Sequence, residues 1–244
     1  MMENNVNHII KWIQDYFKDT DAKAVIGISG GKDSTVCAAL LVKALGEDRV
    51  IGVLMPQGEQ SDINDAKFVC EYLNIENYTV NIQNTTNALY NEITRSGLLL
   101  NTSAYTNTPA RCRMSILYAI AAIVNGRVVN TCNRSEDYVG YSTKFGDSAG
   151  DFSILSNYTV TEILEIGDYL GLPNYLVHKT PADGLCGKSD EDNLGFTYAE
   201  LDNYLLHNII PEEHKLARIE CLHRKNEHKL KPMPSCPKLN ELSL

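Results

Sequence analysis

An unbroken apolar run, Ala24-Val25-Ile26-Gly27-Ile28, leads directly into Ser29-Gly30-Gly31 and then into a helix-forming stretch. A strand without polar alternation has both faces covered, and strands of that kind belong to parallel sheets. The pattern then repeats. Helical spacing over residues 33–45 stops at Gly46, residues 49–55 read as a second strand, 61–73 as a second helix and 78–82 as a third strand. This βαβαβ alternation predicts an α/β fold, a doubly wound parallel sheet with helices on both faces.

The remaining chain fits around that frame. Val6, Ile9, Ile10, Ile13 and Phe17 mark an amphipathic helix over residues 5–17. Helices are expected over 86–95 and 110–124, a fourth strand over 127–131, a fifth near 153–155, and a helix over 159–170 ended by Gly171 and Pro173. Residues 180–195, rich in Gly, Asp, Ser and Pro, read as a long mobile loop of the kind that carries function. Helices over 198–206 and 211–225 precede a tail with three prolines. With no repeat or linker, one domain over residues 1–244 is the simplest organisation.

Composition excludes several classes. The chain is 43% hydrophobic and 22% charged, with a net charge of -9. It can bury a core, but it lacks the basic surface that nucleic acids need. The first ten residues carry no apolar core of a secretory signal, and the longest apolar stretch, 116–124, is too short to span a bilayer. Seven cysteines without a C-x-x-C pair predict neither a disulfide framework nor a zinc site. A cytoplasmic protein is expected.

Chemistry concentrates in Ser29-Gly30-Gly31-Lys32-Asp33-Ser34. Small residues let backbone N–H groups approach a phosphate, and the following helix N-terminus adds donors and positive dipole. The Ser29 and Ser34 hydroxyls can donate as well. Asp33 is out of place beside phosphates unless it holds a cation such as magnesium; its alternative is to cap the helix. Lys32 reads equally as a phosphate contact or a solvent-facing side chain. Two other loops are excluded. A Walker A loop needs Gly at Ile26 and Ser or Thr at Asp33, and the G-x-G-x-x-G fingerprint fails at Ser29.

The hexapeptide resembles the S-G-G-x-D-S loop of the ATP pyrophosphatases, and further segments resemble one branch of them, the NAD synthases. Thr131-Cys132-Asn133-Arg134-Ser135-Glu136, then Gly140 and Thr143-Lys144-Phe145-Gly146-Asp147, is similar to that family's T-x-x-x-x-E and T-K-Y-G-D elements. Ala110-Arg111-Cys112-Arg113-Met114 resembles its A-R-x-R-M helix, Met55-Pro56-Gln57-Gly58 its second-strand loop, and Pro181-Ala182-Asp183 with Ser189-Asp190-Glu191 its substrate loop. His228-Lys229 resembles a C-terminal H-K pair.

The resemblance implies an adenine nucleotide alpha-hydrolase-like fold and a ligase. The implied enzyme uses ATP and ammonia to convert the carboxylate of deamido-NAD into the amide of NAD, through an acyl-adenylate, releasing pyrophosphate and AMP. It implies ATP binding by Gly27, Ile28, Ser29, Gly30, Gly31, Lys32, Asp33 and Ser34, with Thr131 and Thr180, and magnesium on Asp33 and Glu136. Arg111, Lys144, Asp151, His228 and Lys229 would bind deamido-NAD, and Asp147 would sit near ammonia as proton acceptor, making Asp33 and Asp147 the catalytic candidates. A homodimer is implied. A glutaminase domain has no room in the chain, so ammonia is taken up free or from a separate partner.

Plainer readings stand beside these. Glu136 can be a surface carboxylate, Arg111 and Arg113 a solvated helix face, Asp147 and Asp151 turn formers, and His228-Lys229 a charged tail. Leu54, Pro109 and Val160 occupy positions where the family pattern has basic residues, which shifts the expected phosphate contacts to groups such as Lys179 or Lys188. The rival functions are another ATP pyrophosphatase, of the GMP synthase or tRNA-modifying type, and a nucleotide-binding module without catalysis.

Overall fold

The structure, a computed structural model, describes residues 2–60, 62–179 and 189–238. Five parallel strands lie in the order β3-β2-β1-β4-β5, with β1 at Lys23–Gly27, β2 at Val50–Leu54, β3 at Glu76–Thr79, β4 at Gly126–Asn130 and β5 at Phe152–Ser153. The helices, in chain order, are α1 (Met2–Tyr16), α2 (Lys32–Leu45), α3 (Ile63–Tyr72), α4 (Gln83–Arg95), α5 (Thr102–Val124), α6 (Arg134–Val139), α7 (Val160–Tyr169), α8 (Asn174–Val177), α9 (Asp190–Leu194), α10 (Tyr198–His207) and α11 (Glu213–Asn226). Among the described residues no helix is long and apolar enough to cross a membrane.

The central strand explains the layering. Ala24, Val25 and Ile26 have no exposed surface. Ala24 and Ile26 face the larger core, with Ile13 of α1, Leu40 of α2 and Ile163 of α7. Val25 points the other way, against Met114, Leu117 and Ala121 of α5. Period-two alternation therefore feeds two apolar layers, which is why the strand reads as a continuous run. Strand order reverses between β1 and β4, so the carboxyl ends of these two strands flank the crevice where ligands bind in folds of this kind.

Several boundaries differ from the sequence reading. The third strand begins at Glu76 rather than at 78, because ladder pairing with β2 (Ile51 opposite Glu76, Leu54 opposite Thr79) sets it, and its residues are all exposed. The fifth strand is Phe152–Ser153, one residue earlier than expected. The long loop is interrupted at Asp190–Leu194 by α9, whose start is fixed by a capping box between Ser189 and Asp192. Leu54 and Val160 are buried in apolar clusters, 0% and 7% exposed, so their departures from the basic pattern are built into packing.

The helix expected from residue 110 begins at Thr102, where Asn101 caps it through the Ala104 N–H. Pro109 thus lies inside α5 and deprives the Tyr105 carbonyl of its helical donor. Tyr90 of α4 supplies the missing bond, its hydroxyl donating to that carbonyl at 3.1 Å. A second tie joins α6, α7 and α10. Asp202, 2% exposed, accepts from Ser135 Oγ at 2.5 Å and from Thr161 N and Oγ1, each at 2.7 Å. Its carboxylate thereby meets the positive end of α7.

Tyr90→Phe removes this donor to the Tyr105 carbonyl and is expected to lower stability by about 1 kcal/mol in denaturant titrations. An unchanged midpoint would mean that solvent serves the carbonyl equally well.

Candidate active site

The loop after β1 is shaped by its own small residues. The Ile28 N–H still pairs with the Val53 carbonyl at 2.9 Å, and the chain leaves the sheet at Ser29. Gly30 has φ +78°, and a Cβ there would lie 2.8 Å from Asp65 Cβ and 2.9 Å from Ala66 N, so only glycine fits. Ser29 Oγ and Ser34 Oγ are 3.1 Å apart, and Ser29 Oγ accepts from Gly31 N at 3.2 Å. Gly31 starts α2 without any side-chain cap, which leaves the helix N-terminus to an anion. Asp33 does not cap the helix; its side chain turns toward β4.

There it meets the segment that follows β4. Asn133, fully buried, caps α6 by accepting from Glu136 N at 2.9 Å, while Glu136 Oε2 accepts from Asn133 N at 3.3 Å. The Asn133 amide then donates to Asp33 Oδ1 at 3.0 Å. One asparagine, a hundred positions from Asp33, thus places the Asp33 and Glu136 carboxylates together. Burial and the neighbouring Asp33 charge push the Glu136 carboxyl up to about 8.

Three further groups close this pocket. Lys32 is 4% exposed, and its ammonium lies 2.9 Å from Asp33 Oδ2. Asp190, the first residue of α9, is also buried and accepts from Tyr141 Oη at 3.3 Å. The Tyr198 hydroxyl is buried without a hydrogen-bond partner among the described residues and lies within electrostatic reach of Glu136, Asp190 and Asp33. Two repelling carboxylates and an orphaned hydroxyl form a donor set that suits magnesium, which takes one or two carboxylates and fills its other positions with water and phosphate oxygens. Among the described residues no group of three or more His, Cys, Asp or Glu side chains is arranged to hold a metal ion.

A second cluster lies beyond Cys132, whose thiol donates to the Asp147 carbonyl at 3.3 Å. Asn130, ending β4, donates to the same carbonyl at 2.9 Å. The Asp147 carboxylate accepts from Thr143 N at 2.9 Å, and burial raises its pKa. Arg111 Nε donates to the Lys144 carbonyl at 3.3 Å, and the Lys144 ammonium donates to the His228 carbonyl at 2.7 Å. The Lys229 ammonium donates to the carbonyls of Gly140 and Ser142 at 2.7 and 2.9 Å, stapling the C-terminal segment over this loop.

Not every candidate joins these clusters. Asp151 accepts from Val128 N at 2.7 Å and Tyr118 Oη at 3.2 Å, tying β4 to α5. Thr131 directly follows β4 and is half-buried. Lys179 is held by Asp65 at 2.6 Å, which commits its ammonium to α3. Thr180, Lys188 and the 181–183 segment lie outside the described residues. Sequence reading missed Asn133, Tyr198, Asp190 and the inward turn of Lys32. Only Asn133 left a local signal, the N-x-x-E spacing of a capping box.

With the geometry in hand, comparison with known proteins is specific. Residues 5–233 match the family model described as NAD synthase. The NH(3)-dependent NAD(+) synthetase of Thermococcus sibiricus is 36% identical, covering 96% of this chain and 96% of that protein. Among solved structures, the NMN synthetase of Francisella tularensis is 35% identical with a TM-score of 0.90, covering 98% of this chain and 99% of its own. The NH3-dependent NAD synthetase of Campylobacter jejuni is 29% identical with a TM-score of 0.77, over 98% and 99% of the two chains.

The Glu136 environment has a stability signature. Its folded-state pKa, about 8, lies above the ordinary 4.5, so between those values the native state holds a proton that the unfolded chain has released. Stability contributed by this group is therefore present at low pH and lost as pH rises through that window. Glu136→Gln keeps an acceptor for the Asn133 N–H and removes the charge. In chelator it is expected to melt above the wild type beyond about pH 8, the gap closing toward about pH 5. A gap that stayed constant across pH would remove Glu136 as the titrating group.

Proposed function

Because this chain belongs to the NAD synthase family, we propose that it is an ammonia-dependent ligase that converts deamido-NAD and ATP into NAD, AMP and pyrophosphate. The observation that carries this reading is the meeting of the 29–34 loop with Asp33 and Glu136 at the carboxyl ends of β1 and β4. Binding of a nucleotide alone needs no pair of mutually repelling carboxylates.

The residues divide the work as follows. A nicotinate carboxylate oxygen attacks the α-phosphorus of ATP; the bond to pyrophosphate breaks and an acyl-adenylate forms. Backbone N–H groups of residues 27–34 and the α2 N-terminus receive the charge of the departing pyrophosphate, with Thr131 and Thr180 against the nucleotide. Asp33 and Glu136 would hold magnesium, which would supply neutralisation of the triphosphate. Ammonia then attacks the acyl carbonyl and AMP leaves. Asp147, whose carboxyl is held above the usual range by desolvation, binds ammonium and takes its proton. Arg111 and Lys144, with His228, present cationic and ring groups to the substrate, while Lys229 and Asp151 shape the site through the backbone groups they hold.

The protein acts as a homodimer in this reading. α4 and α5 expose Leu89, Tyr105, Tyr118 and Ile123, the last 82% exposed, on the side away from the sheet. One domain accounts for the activity, with ammonia arriving from outside.

A second reading has an observation of its own. The likeness to the Francisella tularensis NMN synthetase, at a TM-score of 0.90, favours the mononucleotide of nicotinic acid as the acid that is amidated. The chemistry at the carboxylate is unchanged; only the adenylyl half of the substrate is absent.

Purified protein with ATP, magnesium and ammonium, given each acid in turn, is expected to form AMP and amide in equal amounts, and kcat/KM ranks the two substrates. A higher value for the mononucleotide would make the second reading the right one, and no amide from either acid would overturn both. Asp33→Asn is expected to reduce turnover by at least about a hundredfold with the fold retained; near-normal rates would remove Asp33 from the metal site.

A further inference from the structure

Lysine in a phosphate loop ordinarily reaches out to phosphate or water. Lys32 does neither. Its side chain is 4% exposed, its Nζ lies 2.9 Å from Asp33 Oδ2 and 5.7 Å from the centroid of the Tyr198 ring, and it feels Glu136 and Asp190 as well. A buried ammonium is tolerated only where carboxylates compensate it.

Both oxygens of Asp33 are already engaged. Oδ1 accepts from Asn133, whose position is fixed by the α6 capping box, and Oδ2 accepts from Lys32. Each oxygen keeps a second lone pair, so a metal can reach Asp33 with both donors in place, but at Oδ2 it arrives beside the ammonium. The amide is neutral and anchored; the ammonium is a cation that repels the incoming one. The Tyr198 ring lies under the Lys32 ammonium, and its buried hydroxyl, without a partner among the described residues, can bond a water that arrives with the metal.

We propose that Lys32 is a resident counter-ion of the Asp33 and Glu136 pair and competes with the divalent metal for Asp33 Oδ2. Without metal, the ammonium keeps the two carboxylates from repelling each other. When metal enters, the ammonium is released from Asp33 toward Asp190 and the incoming phosphate. Lys32 acts through Asp33 and is a positioning residue. The inference rests on the metal reading of Asp33 and Glu136.

Mn2+ binding to the whole protein, followed by titration calorimetry and by the EPR signal of free Mn2+, separates the possibilities. Lys32→Met is expected to lower the Kd for Mn2+ by about tenfold or more, because a fixed positive charge has been removed from beside the ion. Its melting temperature in chelator should fall, and its gain on adding metal should exceed that of the wild type. Lys32→Arg, which keeps the charge, should stay near the wild type. Lys32→Gln, which retains a donor to Asp33, serves if the Met variant does not fold and should also tighten metal binding. An unchanged or weaker Mn2+ affinity in the neutral variants would overturn the proposal, and a rise in the KM for ATP alone would assign Lys32 to phosphate. Identical Mn2+ binding by wild type and Asp33→Asn would instead remove the metal reading itself.

Discussion

Parallel pairing of β1 on both sides is the constraint from which the site follows. Because β2 and β4 each hydrogen-bond to β1, the strand is sealed edge to edge, and helices cover its two faces. The chain must then leave it at one end, into a turn tight enough to start α2 against the same sheet. That turn is the 29–34 loop. β4 ends beside it, and the chain that follows β4 carries Asn133 and Glu136 into the same crevice. Neither half of the pocket needs long side chains to reach the other, since the ladder register has already brought the two strand ends together.

Charge is the second organising term. Placing Asp33 and Glu136 together in a partly water-excluded pocket is unfavourable, and the structure answers with an asparagine bridge, a buried lysine and the orientation of α2. The helix around the crevice is tied down elsewhere by groups with no reacting partner, such as Asp202 at the start of α7 and Lys229 on the Gly140 and Ser142 carbonyls. Rigidity is thus supplied from outside the pocket, where it does not compete with ligand binding.

Much of the frame was legible in the residues themselves. β1, α2 and β2 announce themselves through continuous apolar runs and glycine punctuation, and the 29–34 loop through its position between strand and helix. β3 was misplaced because an exposed edge strand has no hydrophobic pattern to read; backbone pairing alone sets its bounds. α5 was started too late because Pro109 is an N-terminal signal in isolation, and the bond from Tyr90 that tolerates it comes from another helix. α6, α8 and α9 are shorter than two turns and carry too few apolar repeats to show periodicity. In the pocket, Asp33 could be argued from chemistry, whereas Glu136 entered through a resemblance. The burial of Lys32 and the approach of Tyr198 and Asp190 depend on contacts between segments far apart in sequence, which no local pattern encodes.

The two outer strands bear on how copies of this chain can associate. β3 shows only Glu76, Asn77, Tyr78 and Thr79, all exposed, and β5 is two residues long. Short, polar borders of this sort make poor templates for a foreign strand, so the sheet resists growth by lateral addition and the fibrous stacking that such growth begins. Adhesion between molecules is thereby steered to helical surfaces, where side chains rather than unpaired backbone decide which neighbour is accepted.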